Sequence, residues 1–260
     1  MQEIKFDLGK NIVDTAQASG VPSFSSDDVN GSISYSVNAI PSQIPARFTR
    51  AGFEVTWRPI FAMTMYTNRR RDPTLAVYKV DLQLANTIRS HEAAQAFVEQ
   101  TIAQFAKGKW QRYVDPVWKT LLTGRSSILN EAGQIDQMLM AIDPAYKIPS
   151  ADWPKVAKPG AYWRWVGDGV LAELSVNQLG GDGSAADPSP LDYRLNLEFE
   201  LLDVKLKRDA ENQARDLKAG DAKGWNSTAK LVAAKKERAA LLKRLEANAI
   251  KRGDSVVAKP

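Results

Sequence analysis

Cysteine is absent from this chain of 260 residues, and histidine occurs only once, as His91. The lack of thiols excludes disulfides and cysteine-ligated zinc, and one imidazole cannot supply the histidine pairs of the common zinc sites. No stretch approaches the roughly 18 apolar residues that a membrane-spanning helix needs. We therefore predict that the protein has no metal, no cofactor and no membrane span.

The motifs of common enzyme classes are also missing. The glycine clusters at residues 167–169 and 180–183 lack both the spacing of a dinucleotide-binding loop and the Gly-Lys-Ser/Thr of a phosphate loop, so we interpret them as turns. His91 lies at a predicted helix start beside Glu92, where a solvated residue is a simpler interpretation than a catalytic base. We predict no catalytic residue and no enzymatic activity.

Carboxylates provide the alternative to that prediction. Glu198 and Glu200 lie on the wet face of a predicted strand, an arrangement that is more typical of a solvated surface than of a glycosidase pair. Asp182 and Asp187 could touch calcium in a flexible loop, but their number and spacing do not match an EF-hand. A carboxylate-dependent hydrolase stays open as an alternative function.

Alternating apolar and polar residues predict an antiparallel sheet with one face toward water. In the clearest strand Tyr193, Leu195, Leu197 and Phe199 share one face, with charged and polar residues between them. Shorter stretches of the same alternation predict further strands over residues 33–37, 53–65 and 76–84. A regular strand–helix–strand alternation is lacking, which argues against a doubly wound nucleotide-binding fold.

One main helix is predicted over residues 90–107, because Ser90 suits the N-cap and apolar residues recur at intervals of three and four. Trp163 and Trp165 lie two residues apart in a predicted strand, so they share a sheet face that we interpret as core. Together these patterns predict an α+β fold: a curved antiparallel sheet with helices packed on it, plus a basic helical hairpin at the C-terminus.

Charge is divided unevenly along the chain. Residues 203–260 contain 15 Lys and Arg against 8 Asp and Glu, whereas residues 1–202 have a net charge of −2. The basic segment is rich in Ala and Lys, and its apolar stripe is narrow, so we predict a helical tail that is semi-independent of the body. The predicted organisation is a flexible lead-in (1–30), an antiparallel sheet body with one main helix (31–202) and the basic helical tail (203–260).

Two groups of cations are the candidate partner-binding residues. Arg69, Arg70 and Arg71 lie at a predicted hairpin tip, and Lys235 and Lys236 lie in the tail. Both groups would steer an acidic partner. The tail also leaves binding to nucleic acid or another anionic surface as an alternative, although acidic residues are mixed in and no nucleic-acid fold signature favours nucleic acid.

The stretches Arg89-Ser90-His91-Glu92-Ala93-Ala94-Gln95 and Gly108-Lys109-Trp110 belong to a body that resembles, in general appearance, the immunity proteins protecting proteobacteria from secreted antibacterial effectors. The resemblance supplies no site residue. It implies a non-catalytic protein that neutralises a toxin or lipase effector, such as one delivered by type VI secretion. The absence of cysteine favours the periplasm or cell envelope, with the signal peptide missing from this sequence, over the cytoplasm.

Overall fold

The computed structural model describes residues 3–21, 23–84, 88–136, 138–181 and 189–258. These residues form an α+β fold with a large antiparallel sheet, which confirms the predicted fold class. The helices among them are α1 (Ile12–Ala18), α2 (His91–Phe105), α3 (Trp153–Ala157), α4 (Leu202–Asp221), α5 (Ser227–Lys251) and a 3₁₀ turn (Gly124–Ile128). The strands are β1 (Ile4–Phe6), β2 (Ser25–Val29), β3 (Ser32–Val37), β4 (Ala46–Phe48), β5 (Val55–Trp57), β6 (Ala62–Asn68), β7 (Lys79–Gln83), β8 (Gln111–Arg112), β9 (Thr120–Leu122), β10 (Ala161–Gly167), β11 (Val170–Gln178), β12 (Tyr193–Leu201) and β13 (Val256–Ala258).

The main sheet has eight strands in the order β2-β3-β6-β7-β12-β11-β10-β8, and every neighbouring pair is antiparallel. A second sheet has the order β1-β4-β5, in which β1 and β4 are parallel. β9 and β13 form a separate antiparallel pair that joins the end of the chain to its middle.

β12 lies near the centre of the main sheet, and its alternation is the predicted one. Tyr193, Leu195, Leu197 and Phe199 are all buried, which confirms the predicted core face of this strand. Leu197 is paired across the sheet with Leu82 on β7 and with Leu174 on β11, so the apolar side chains form rows across three strands.

Aromatic side chains fill the space between the main sheet and the second sheet. The Phe199 ring stacks on Phe48 of β4 with the ring centroids 4.7 Å apart, and Phe6 of β1 meets it edge-on at 5.5 Å. Helix α2 covers the neighbouring strands, where Phe105 stacks on Trp165 at 4.0 Å. Trp165 and Trp163 are both buried, so their predicted place in the core is confirmed.

The N-terminal segment is folded, contrary to the flexible lead-in predicted over residues 1–30. Ile4 and Phe6 of β1 and Ile12 of α1 are buried in the main core. Asn11 caps α1, since its side-chain oxygen accepts a hydrogen bond from the Val13 amide at 2.9 Å. The prediction failed because β1 is short and gains its apolar contacts from parallel pairing with β4, about 40 residues away.

The C-terminal segment forms the predicted helical hairpin, α4 and α5, but it is not semi-independent of the body. Leu245 and Ala249 of α5 are buried against Leu121 and Leu122 of β9. Asp254 accepts a hydrogen bond from the Ser126 amide at 2.8 Å, and β13 pairs with β9. The prediction failed because the apolar contacts are concentrated in the last turns of α5, whereas the average over the whole tail is polar.

In the described part of the chain, no helix combines the length and the apolarity needed to cross a bilayer. The two longest helices, α4 and α5, are rich in charged residues along their whole lengths.

We expect Leu245→Ala to lower the free energy of unfolding by about 2–4 kcal/mol, because it leaves a cavity in the small apolar cluster that α5 forms with β9. Val232→Ala is the matched control: Val232 lies on the same helix but is exposed, so its truncation should change stability by less than about 0.5 kcal/mol. Urea unfolding followed by circular dichroism measures both. Equal stability of the two variants would contradict the docking of α5.

Candidate partner-binding surface

The face of the main sheet that points away from the aromatic core is polar. A row of carboxylates crosses three strands there, because Glu198 on β12 is paired with Asp81 on β7 and with Glu173 on β11. With Thr64, Tyr66 and other polar residues they line a groove of about 340 Å³. We call this surface the polar face.

The charges of the polar face are paired with one another. The Lys79 ammonium lies 2.7 Å from Glu198 and 3.3 Å from Asp81. The Arg164 guanidinium lies 2.6 Å from Glu173 and 3.1 Å from Asp115. An incoming charged ligand would have to displace these internal partners, so the polar face is already electrostatically satisfied.

Burial and neighbouring charges shift the pKa values of Asp81 and Lys79 in this network. It raises the pKa of the Asp81 carboxyl to about 6, with Lys79 opposing the rise and the charge of Glu198 adding to it. Burial lowers the pKa of Lys79, but the hydrogen bond to Glu198 and the charge of Asp81 outweigh it, so the net shift is upward. Asp81 therefore takes up a proton at higher pH than an ordinary aspartate does.

Glu198 and Glu200, the carboxylates considered for hydrolysis, have different surroundings. Glu198 is half-buried on the polar face, whereas the Glu200 side chain is 1% exposed and forms an ion pair with Arg208 of α4. The expectation that both are solvated is wrong for Glu200, because α4 turns back over the end of β12. A substrate could not reach both carboxylates in this arrangement.

His91 and the glycine turns have structural surroundings. A ring nitrogen of His91 hydrogen-bonds the hydroxyl of Tyr193, at the start of α2. Asp168 and Gly169 adopt positive φ in the turn between β10 and β11, where the Asp168 carbonyl accepts a hydrogen bond from Arg50. Asp182 and Asp187 lie outside the described residues. Within those residues, no cluster of three His, Asp or Glu side chains could hold a metal ion.

The predicted arginine cluster lies in the turn after β6, and two of its members are paired. Arg69 lies 3.0 Å from Asp28 of β2, and Arg71 lies 2.8 Å from Glu211 of α4. The aliphatic part of the Arg70 side chain packs over Gly31. These cations therefore fix the turn to its neighbours while their side chains stay partly exposed, a combination that weakens their pull on an external partner.

A second recess lies between residues 116–119 and the α4–α5 hairpin, and we call it the helix cleft. It encloses about 550 Å³. Its apolar lining includes Trp118 and Leu242, and cations surround that lining. The residues that line it are Pro116, Val117, Trp118, Lys119, Gln213, Leu231, Lys235, Arg238, Ala239 and Leu242.

The turn that forms one wall of the helix cleft is held in a defined shape. Asp115 accepts a hydrogen bond from the Val117 amide at 2.9 Å, and its carbonyl accepts one from the Lys119 amide at 3.1 Å. Lys119 has a φ of +65°, which is uncommon for a lysine. The Arg238 guanidinium lies over the Trp118 ring, 5.5 Å from its centre. The cleft thus combines an aromatic surface with a cation already placed against it.

The structure separates the predicted partner-binding residues. Lys235 lines the helix cleft, while Lys236 lies about 100° further around α5 and outside it. Arg71 meets α4 at Glu211, whereas the cleft meets α4 at Gln213, about 200° around the same helix. The arginine turn and the helix cleft therefore lie on opposite sides of α4.

The sequence reasoning missed Trp118 and the turn that carries it. The only local signal is the aromatic residue shortly after Asp115 and Pro116. Leu231, Arg238 and Leu242 recur at helical spacing in the tail, but such a stripe does not reveal which of its residues stay uncovered.

Comparison of the chain with protein-family models, with curated proteins and with solved structures gives no match. The functional argument therefore depends on the geometry and chemistry of this chain itself.

We expect Asp81→Asn to change the pH dependence of stability. A raised pKa in the folded state gives stability that is complete below the ordinary carboxyl pKa of about 4 and is lost as pH rises through about 6. The asparagine variant should lack this loss, so the slope of unfolding free energy between these pH values should flatten. Asp216→Asn, on the exposed surface of α4, is the control and should leave the slope unchanged.

Proposed function

We propose that this protein is a non-catalytic protein-binding module that neutralises a secreted antibacterial effector. The observation that carries the proposal is the helix cleft, which leaves an aromatic and aliphatic lining accessible beside Lys119, Lys235 and Arg238. Interfaces that bind tightly are anchored by aromatic and arginine side chains in such recesses.

The chemistry of the helix cleft favours a particular kind of segment. Leu231, Leu242 and Trp118 suit apolar side chains, and the cations at the rim suit carboxylates. A volume of about 550 Å³ accommodates a few side chains of a partner protein, and it falls within the general range of ligand recesses. We therefore expect the bound segment to be an acidic loop or helix that carries one or two large apolar residues.

The positive φ of Lys119 supports a binding role for the turn as well. A non-glycine residue in this conformation is costly, and such residues are found preferentially at binding and active sites. Here residues 116–119 line the cleft beside α5, and the hydrogen bonds that the Val117 and Lys119 amides donate to Asp115 hold the turn in this conformation.

The identity of the partner as an antibacterial effector, toxin or lipase, and the periplasmic or envelope location, rest on the resemblance to immunity proteins. The paired charges of the polar face and the burial of Glu200 support a binding protein over a carboxylate-dependent hydrolase. They do so because the carboxylates that would act on a substrate are held by internal cations.

The test has two stages. Tagged full-length protein is used to isolate an effector from the secreted proteins of the producing bacterium, and the purified effector is then assayed with and without it. We expect a stoichiometric complex in which effector activity is lost. An effector that stays fully active in the saturated complex would overturn the proposal, as would substrate turnover by this protein that disappears on substitution of His91 or one carboxylate.

We expect Lys235→Glu and Trp118→Ala each to weaken the complex by about 30-fold, because each removes an anchor from the helix cleft. Lys236→Glu is the matched control: it makes the same charge change one position outside the cleft and should cost about fivefold or less. Calorimetric titration of the purified effector measures all three. If Lys236→Glu weakened the complex as much as Lys235→Glu, general charge attraction would explain the effect and the cleft would not be the binding site.

A further inference from the structure

The connection between α4 and α5 is a built structure, and we call residues 218–230 the hairpin tip. The Trp225 amide donates a hydrogen bond to the carbonyl of Gly220 at 3.1 Å, and the Ser227 amide donates one to the Asp221 carboxylate at 2.6 Å. Asn226 caps α5 through the amide of Ala229, at 3.3 Å. The turn that carries Trp225 is therefore fixed by hydrogen bonds on both sides.

Gly220 makes the close approach of the two helices possible. A side chain at this position would place its first carbon 2.1 Å from the hydroxyl oxygen of Ser227, and 3.6 Å from the Trp225 ring. The chain thus closes tightly at Gly220, and the Trp225 ring lies beside this glycine while Trp225 itself stays exposed.

Trp225 is 54% exposed, which is unusual for the largest apolar side chain. The ammonium groups of Lys223 and Lys230 lie 5.0 and 5.5 Å from its ring centre. Residues 218–230 contain three Lys against one Asp, a net charge of +2. The hairpin tip is thus an aromatic residue surrounded by cations.

We propose that the hairpin tip binds the surface of an anionic phospholipid bilayer, with Trp225 in the headgroup layer and Lys223 and Lys230 at the lipid phosphates. Tryptophan concentrates at the interface between water and lipid, and lysine stems extend beside it with the charge in water. Anionic lipids attract basic segments of this kind. This binding does not depend on the proposed neutralising function.

The position of the tip favours a bilayer over a protein as its occupant. About 27 Å of helix separates Ser227 from Leu245, which is docked on the body, so the tip stands away from the main core. A convex turn offers far less contact area than the roughly 800 Å² that each partner buries in a standard protein interface. A flat layer of diffuse negative charge needs no complementary pocket, and a net charge of +2 at the tip is complementary to it.

The test measures sedimentation of the full-length protein with vesicles of phosphatidylcholine containing about one third phosphatidylglycerol. We expect binding at low salt, little binding at high salt, and little binding to vesicles of phosphatidylcholine alone. Lys223→Gln and Lys230→Gln should each lower the partition coefficient about fivefold. Trp225→Ala should lower it by at least as much as one lysine. Ile250→Ala is the matched control, because it removes a similarly exposed apolar side chain from the docked end of α5.

Quenching by brominated lipid locates the aromatic residue directly. Fluorescence of the wild-type protein should fall on binding to brominated anionic vesicles, and the Trp225→Phe variant should lose this quenching while still binding. The proposal is overturned if Trp225→Ala binds vesicles like the wild type, or if neutral and anionic vesicles bind equally. It is also overturned if no vesicle binds; if Trp225→Ala then weakens the complex with a purified effector, the tip belongs to a protein interface instead.

Discussion

The packing of the second sheet on Phe199 is the contact on which the rest of the fold depends. Phe199 lies on β12, near the centre of the main sheet, and it touches Phe48 and Phe6 from the second sheet. Trp57 and Phe105 complete the contact, at 5.6 and 6.4 Å between ring centroids. Residues from four distant parts of the sequence therefore meet on one ring, and this burial orders the N-terminal segment as well as α2.

Covering one face of the sheet determines the chemistry of the other. Because side chains alternate along a strand, burying Phe199 directs Glu198 and Glu200 to the opposite side. α4 then covers Glu200, and Arg208 supplies the countercharge for a carboxylate whose pKa is raised mainly by burial. Leaving the charge of Glu200 or Arg208 buried without its partner would cost folding free energy. The ion pair therefore fixes the direction in which α4 leaves the sheet.

How much the sequence predicts depends on the length of each element. The nine-residue strand β12 and helix α2, with its Ser90 cap, have enough periodicity to be recognised without a structure. The three-residue strands β1 and β13 do not, since their stability comes from partners far along the chain. Residues 124–128 form a 3₁₀ turn, and Leu129 and Ile135 form a single bridge, a pairing too short to leave a periodic pattern in the sequence.

The sequence predicts which cations are exposed at the candidate surfaces, but it does not predict their contacts. Composition locates cations such as Lys235 and Arg71 in exposed segments, but it does not show that Arg71 is paired with Glu211. Trp118 is important only because the turn at residues 116–119 lies along α5, which depends on the docking of Leu245 and on β9.

The helix cleft and the hairpin tip have a common cause, which is the uneven distribution of apolar residues along α5. The last turns of α5 have large apolar residues on the body side, and they are buried there. The first turns of α5 contain mostly Ala and Lys, with Leu231 as the large apolar residue of the same stripe, so less apolar area draws them toward the sheet. The hairpin is consequently buried against the body at one end, and beyond that end it meets the body through single side-chain contacts such as Arg71–Glu211 and Arg238–Trp118. This loosely packed part leaves the helix cleft open beside Trp118 and Trp225 exposed, so the same uneven distribution of apolar residues creates both surfaces.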